Sequence, residues 1–114
     1  MGRLSTHILD VSRGVPAAGV AIDLLRLESA GSRTLGSFVT NADGRTDSPL
    51  VAEADLIPGI YELVFHIGAY FRRVSADSGF FDTVPIRFRV SDAAGHYHVP
   101  LLVTPWSYST YRGS

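Results

Sequence analysis

Short alternating segments cut by turn-forming residues constrain this chain more than any other feature. Leu4, Thr6 and Ile8 fall on one side of an extended strand and Ser5, His7 and Leu9 on the other. Gly19–Glu28 alternates Val20, Ile22, Leu24 and Arg26 with Ala21, Asp23, Leu25 and Leu27. A polar turn at Ser29–Ser32 returns the chain through Arg33–Asn41, which predicts a hairpin. Ile60–Ile67 places Tyr61, Leu63, Phe65 and Ile67 together, and Thr83–Val90 alternates Val84, Ile86, Phe88 and Val90 with Thr83, Pro85, Arg87 and Arg89. A last strand is predicted over Tyr97–Val103. Turn signals recur roughly every ten residues, the spacing of an antiparallel β-sandwich.

The connections carry their own signals. Asp10–Gly14 is a turn, and Val15-Pro16 is extended because the residue before proline is pushed out of the helical region. Asn41-Ala-Asp-Gly-Arg45 has Asp43-Gly44 as its tight corner, and Pro58-Gly59 is a further turn. Thr46–Asp55 reads as irregular around Pro49. Gly68–Ser78 lacks clean alternation, and Ala69, Tyr70, Arg72 and Arg73 allow one short helix ending before Gly79. At 114 residues the chain is expected to form a single domain, residues 1–114.

Composition excludes several functions. With no cysteine, disulfides, thiolate catalysis and a cysteine-ligated zinc site are ruled out. A formal net charge of −1 gives no steering toward nucleic acid or an acidic membrane. No apolar stretch approaches the ~18 residues a membrane span needs. The N-terminus MGRLSTHILD lacks the apolar core of a signal peptide. A soluble, cytoplasmic protein is the expectation.

The candidates for chemistry are few. The histidines are His7, His66, His96 and His98. On an extended strand His96 and His98 point one way and Tyr97 the other. His66 lies opposite Phe65, with Glu62 and Val64, and is read as a rim residue. By spacing alone His7 and His98 are better explained as polar positions on a solvated sheet face. Arg45 follows the Asp-Gly corner, which would set its orientation; a surface arginine is the plainer reading. Two imidazoles and a guanidinium can nevertheless take a proton from water and hold an oxyanion. A zinc site from His7, His96 and His98 is not expected, since the spacing is not diagnostic. No G-x-S-x-G elbow and no phosphate-cradling glycine loop is present. The end of the chain, Trp106, Tyr108, Tyr111, Arg112, Gly113 and Ser114, is read as docked in a groove or packed at a subunit interface. Docking would make the Ser114 carboxylate a fixed charge.

Four blocks in order, LSTHILDVSRGVPAAGV, TNADGRTDSPL, YELVFHIGAYF and HYHVPLLVTPWSYSTYRGS, resemble the transthyretin-like family. The terminal YRGS resembles its 5-hydroxyisourate hydrolase branch rather than the thyroid-hormone carrier. Departures are small: Trp106-Ser107 stands in place of an aromatic-glycine pair, and Thr104 where serine is common. The resemblance implies a transthyretin-like β-sandwich of two four-stranded sheets with one short helix. It also implies a homotetramer with sites in the channel between dimers, and cofactor-independent hydrolysis of the N1–C6 lactam bond of 5-hydroxyisourate in urate degradation. By position it implies catalytic roles for His7, Arg45, His98 and Ser114. Tyr111, Arg112 and Gly113 would join them in lining the substrate site. His7 and His98 would position and deprotonate a water, Arg45 would hold the oxyanion, and Ser114 would bond substrate or water through its hydroxyl or carboxylate. Which histidine is the base stays open. The competing class is a non-catalytic carrier of a flat aromatic ligand in the same channel, since fold does not fix function. An interaction domain would explain the core but not the terminal tetrapeptide.

Overall fold

Tyr61, Leu63 and Phe65 are fully buried, and the strand that carries them, β5 (Gly59–Phe65), sits inside a four-stranded sheet. The computed structural model describes residues 2–51, 55–75 and 79–114. Along the chain, β1 (Arg3–Asp10) and β2 (Val15–Pro16) are followed by the hairpin β3 (Ala21–Glu28) and β4 (Gly31–Val39). After β5 come one helix, α1 (Ile67–Val74), then β6 (Val84–Val90), β7 (His96–Thr104) and β8 (Ser107–Thr110). One sheet has the order β2-β1-β7-β8 and the other β4-β3-β5-β6. The expected sandwich of two four-stranded sheets with one helix is the architecture observed.

The core lies between the two inner faces. Leu4, Ile8, Leu101 and Val103 from the first sheet meet Ile22, Leu24, Leu63 and Phe65 from the second, all fully buried. Burying each such side chain contributes about 1.5–3 kcal/mol. Two polar groups on the inner face of β1 are satisfied internally. Thr6 Oγ1 donates to the Val99 carbonyl at 2.7 Å. Asp10 Oδ2 accepts from Tyr70 Oη at 2.8 Å, and its Oδ1 accepts from Ser12 Oγ at 2.6 Å. Asp10 therefore ends β1 and anchors the turn expected to begin there.

Two details differ from the sequence expectation, and two stretches of it cannot be compared. Ile67 belongs to α1 and not to the preceding strand: Ile67, Tyr70 and Phe71 are buried at helical spacing, which a period-two reading cannot exclude. The part of the helix expectation covering 76–78, and of the irregular stretch covering 52–54, lies outside the described residues. Most consequential, the sandwich is not wholly antiparallel. β1 and β7 pair in parallel, with Ser5 opposite His98 and His7 opposite Pro100.

The remaining edge of β1 is held by the turn that carries Arg45. Asn41 Oδ1 accepts from the amides of Asp43 at 2.9 Å and Arg45 at 3.2 Å. Ile8 N donates to the Gly44 carbonyl at 2.9 Å, which ties the corner to the strand of His7. Gly44 has φ +74°, and a Cβ there would collide with the Ile8 carbonyl oxygen. Gly44→Ala is expected to lower stability by about 1–3 kcal/mol, read as a lower urea midpoint. An unchanged midpoint would show that this corner does not grip β1.

Candidate functional site

The alternation of β1 sends Leu4, Thr6 and Ile8 inward and leaves Arg3, Ser5 and His7 on the outer face. In β7, Tyr97, Val99 and Leu101 are buried and His98 is half-buried on the opposite face. The parallel register then places Ser5 beside His98, and Ser5 Oγ lies 2.8 Å from His98 Nδ1. Arg45 reaches the same place from the 41–45 turn. A cleft of about 310 Å³ results, lined by Arg3, Ser5, Arg45, His98 and Ser114 together with His96 and Tyr97.

The chain after β8 is delivered to this cleft by backbone pairing. β8 runs antiparallel to β7, from Leu101 opposite Thr110 to Thr104 opposite Ser107. Farther along the same strand, Gly113 N donates to the His98 carbonyl at 2.8 Å. Between these points the Arg112 guanidinium stacks on the Tyr97 ring, 4.6 Å from its centroid, and Arg112 Nη2 donates to the His96 carbonyl at 3.3 Å. Tyr111 and Arg112 line a neighbouring, more apolar cleft with Ile86, Phe88 and Thr110.

The candidate residues are thus distributed unevenly. His98, Arg45 and Ser114 converge in one cleft. His7 lies on the same sheet face and is near enough to disfavour the charged form of His98, but it does not line that cleft within one chain. His96 is exposed at the rim. His66 is remote, its Nε2 2.8 Å from Asp23 Oδ2 on the outer face of the other sheet. Tyr97 Oη is occupied by the turn before β7: it donates to the Asp92 carbonyl and accepts from the Asp92 and Ser91 amides. Among the described residues, no three His, Cys, Asp or Glu side chains converge as a metal-ligand set.

The electrostatics favour a neutral imidazole facing an anion. No carboxylate side chain lines the cleft, whereas two guanidiniums do. Burial pushes the His98 pKa below its ordinary 6.5, and the nearby charges of Arg45, His7 and Arg3 push it in the same direction. A neutral His98 has a lone pair for a proton, and the guanidiniums can hold a developing oxyanion.

A family model described as the HIUase/Transthyretin family matches residues 4–113. The chain belongs to that family. A 5-hydroxyisourate hydrolase of Deinococcus radiodurans is 53% identical over 97% of this chain and 95% of its own length. 5-Hydroxyisourate hydrolase 2 of Rhizobium meliloti is 52% identical over 99% and 97%. Among solved structures, the 5-hydroxyisourate hydrolase of Klebsiella pneumoniae superposes with TM-score 0.86 at 43% identity, covering the whole of both chains. Transthyretin of Sparus aurata superposes with TM-score 0.90 at 28% identity, over 97% of this chain and 96% of that one. The family's shared sandwich accounts for both likenesses.

Within this family framework, two residues of the cleft were not singled out by the sequence: Arg3 and Ser5. For Ser5 the signal was the alternation of Leu4–Leu9, which already put it on the face of His7; Arg3 lies just before that stretch. What it lacked was the strand that packs beside them. By NMR, His98 is expected to titrate below 6.5. Arg45→Gln and Arg3→Gln should each raise that midpoint, because each removes a like charge. Because the folded ring binds its proton less readily than the unfolded one, acidification through this range favours unfolding. A wild-type midpoint at or above 6.5 would contradict the assignment.

Proposed function

We propose that this chain hydrolyses 5-hydroxyisourate at the N1–C6 lactam bond, with His98, Arg45 and Ser114 as the central groups of its cleft. One observation carries the reading: a half-buried imidazole whose pKa is pushed down and a guanidinium that, among the described residues, pairs with no carboxylate side chain meet in one cleft with the chain end at Ser114. The two hydrolase relatives that match nearly the full length support the same substrate.

The chemistry follows from the groups present. Water attacks C6 as His98 accepts one of its protons. The carbonyl oxygen gains negative charge, which Arg45 stabilises, with Arg3 adding to the positive field. The N1–C6 bond then breaks, N1 takes the proton back from His98, and C6 is left as a carboxylic acid that loses its remaining proton to solvent to become the carboxylate. Ser114 hydrogen-bonds the ring or the water, and Tyr111 packs at the margin of the substrate. His7 assists from the same sheet face. Arg112 and Gly113, bound to the backbone of His96 and His98, hold the chain end in place.

We further propose that the working form is a homotetramer whose channel between dimers completes the site. Two features support this. β8 ends its sheet, and Trp106, Tyr108 and Tyr111 on or beside it are 61%, 40% and 60% exposed. His7 also faces outward beside the cleft without lining it in one chain. A carrier of an apolar ligand is the weaker reading, since burying two guanidiniums and an imidazole against an apolar molecule is costly.

The test is to generate 5-hydroxyisourate with urate oxidase and follow its absorbance with and without the protein. Accelerated decay is expected. His98→Ala and Arg45→Ala should each lower kcat/KM about a hundred- to ten-thousand-fold with the circular dichroism of the folded protein retained. Wild-type turnover in either variant would refute its role.

A further inference from the structure

His98 is gripped on both flanks of its ring by groups that touch no substrate in the mechanism above. On one flank is Ser5, directly opposite in the parallel ladder, with Oγ 2.8 Å from Nδ1. On the other is the Gly113 backbone. A Cβ on Gly113 would lie 2.5 Å from His98 Cδ2, closer than real Cβ contacts occur, and 3.2 Å from Cγ, a tight approach. The Gly113 amide is meanwhile fixed on the His98 carbonyl at 2.8 Å. With Nδ1 and Cδ2 both covered, the tip of the ring, Cε1 and Nε2, is what remains for the cleft.

We propose that Ser5 is a positioning residue that keeps neutral His98 protonated on Nδ1, and that the Gly113 backbone wedges the ring so that the Nε2 lone pair faces the cleft. A serine hydroxyl alone would permit either tautomer, because it can donate or accept. The guanidiniums across the cleft remove that ambiguity. Arg3 and Arg45 line the cleft and can only donate, so the ring nitrogen that faces them is the one with the lone pair, and the nitrogen turned toward Ser5 carries the hydrogen. Ser5 Oγ then accepts from Nδ1–H. This names His98 rather than His7 as the group able to take the proton of water, and it rests on the hydrolase reading for what that proton transfer accomplishes. The opposite tautomer would turn an Nε2–H donor to the cleft and leave His98 unable to act as a base.

The tautomer is read without any substrate, from the 15N shifts of histidine-labelled protein above the His98 titration. Wild type should show a protonated Nδ1 and an unprotonated Nε2 on His98. Ser5→Ala should give a mixture, and Ser5→Thr should restore the wild-type pattern. In the 5-hydroxyisourate assay Ser5→Ala should lower kcat on the order of ten- to a hundred-fold, the scale of outer partners that orient an imidazole. KM should change little, and threonine should rescue. Gly113→Ala should lower kcat as well, with the His98 ring resonances displaced. A wild-type His98 protonated on Nε2, or Ser5→Ala with unchanged kcat and tautomer, overturns the proposal. If the wild-type protein does not accelerate substrate decay, the functional reading fails, while the tautomer spectrum still decides the role of Ser5.

Discussion

The parallel ladder between β1 and β7 is the interaction on which the rest depends. Eight residue pairs join them, from Arg3 opposite His96 to Asp10 opposite Val103. A parallel pair cannot be closed by a hairpin, and here the whole second sheet lies between its two strands in the sequence. The Ser5–His98 contact spans 93 positions of sequence. Forming it carries the loop-closure entropy of a long excursion, and the return comes from the inner face: Leu4, Ile8, Leu101 and Val103 are fully buried there. One ladder therefore does two things. Its inner face contributes to the core, and its outer face brings polar side chains from both ends of the chain into register.

That outer face solves a conflicting demand. A group that takes a proton must be neutral, while a group that holds an oxyanion must be charged. A carboxylate beside His98 would favour its charged form and neutralise the guanidiniums as well. The cleft has none among its lining side chains, and a carboxylate enters it only through the chain end at Ser114. His66 shows the contrasting environment elsewhere in the molecule, with Asp23 at 2.8 Å on a solvated sheet face. Concentrating positive charge is tolerable here because Arg3 and Arg45 are exposed, so water carries much of their solvation until a ligand replaces it.

Much of this fold is legible in the sequence because one physical pattern repeats. Alternation marks β1, β3, β5 and β6, and the Asn41–Arg45 turn is read correctly from Asn, Asp and Gly at its corner. β8 escapes such a reading because Ser107, Tyr108, Ser109 and Thr110 have no buried side to alternate with; its strand geometry comes from hydrogen bonds to β7. Ile67 satisfies both the period of a strand and that of a helix, and the burial of Tyr70 and Phe71 decides for the helix. His7, Arg45 and His98 were legible as candidates through their resemblance to a family, not through spacing. Arg3 and Ser5 were not, although alternation had placed Ser5 on the face of His7, because a side chain acquires a role only when its neighbour across the ladder is known.

The end of the chain shows how little of this geometry depends on its own side chains. From Thr110 to Gly113 it follows β7 by backbone pairing, interrupted at Tyr111 and Arg112. The cation–π contact of Arg112 with Tyr97 contributes on the order of 0.5–1 kcal/mol, enough to hold the interrupted stretch close but not to define a register. Register is set by Gly113 N on the His98 carbonyl. That bond brings the strand so near the imidazole that a side chain at 113 has no room. The glycine is thus dictated by the histidine opposite, and Ser114 reaches the cleft because the residue before it yields its volume to the ring.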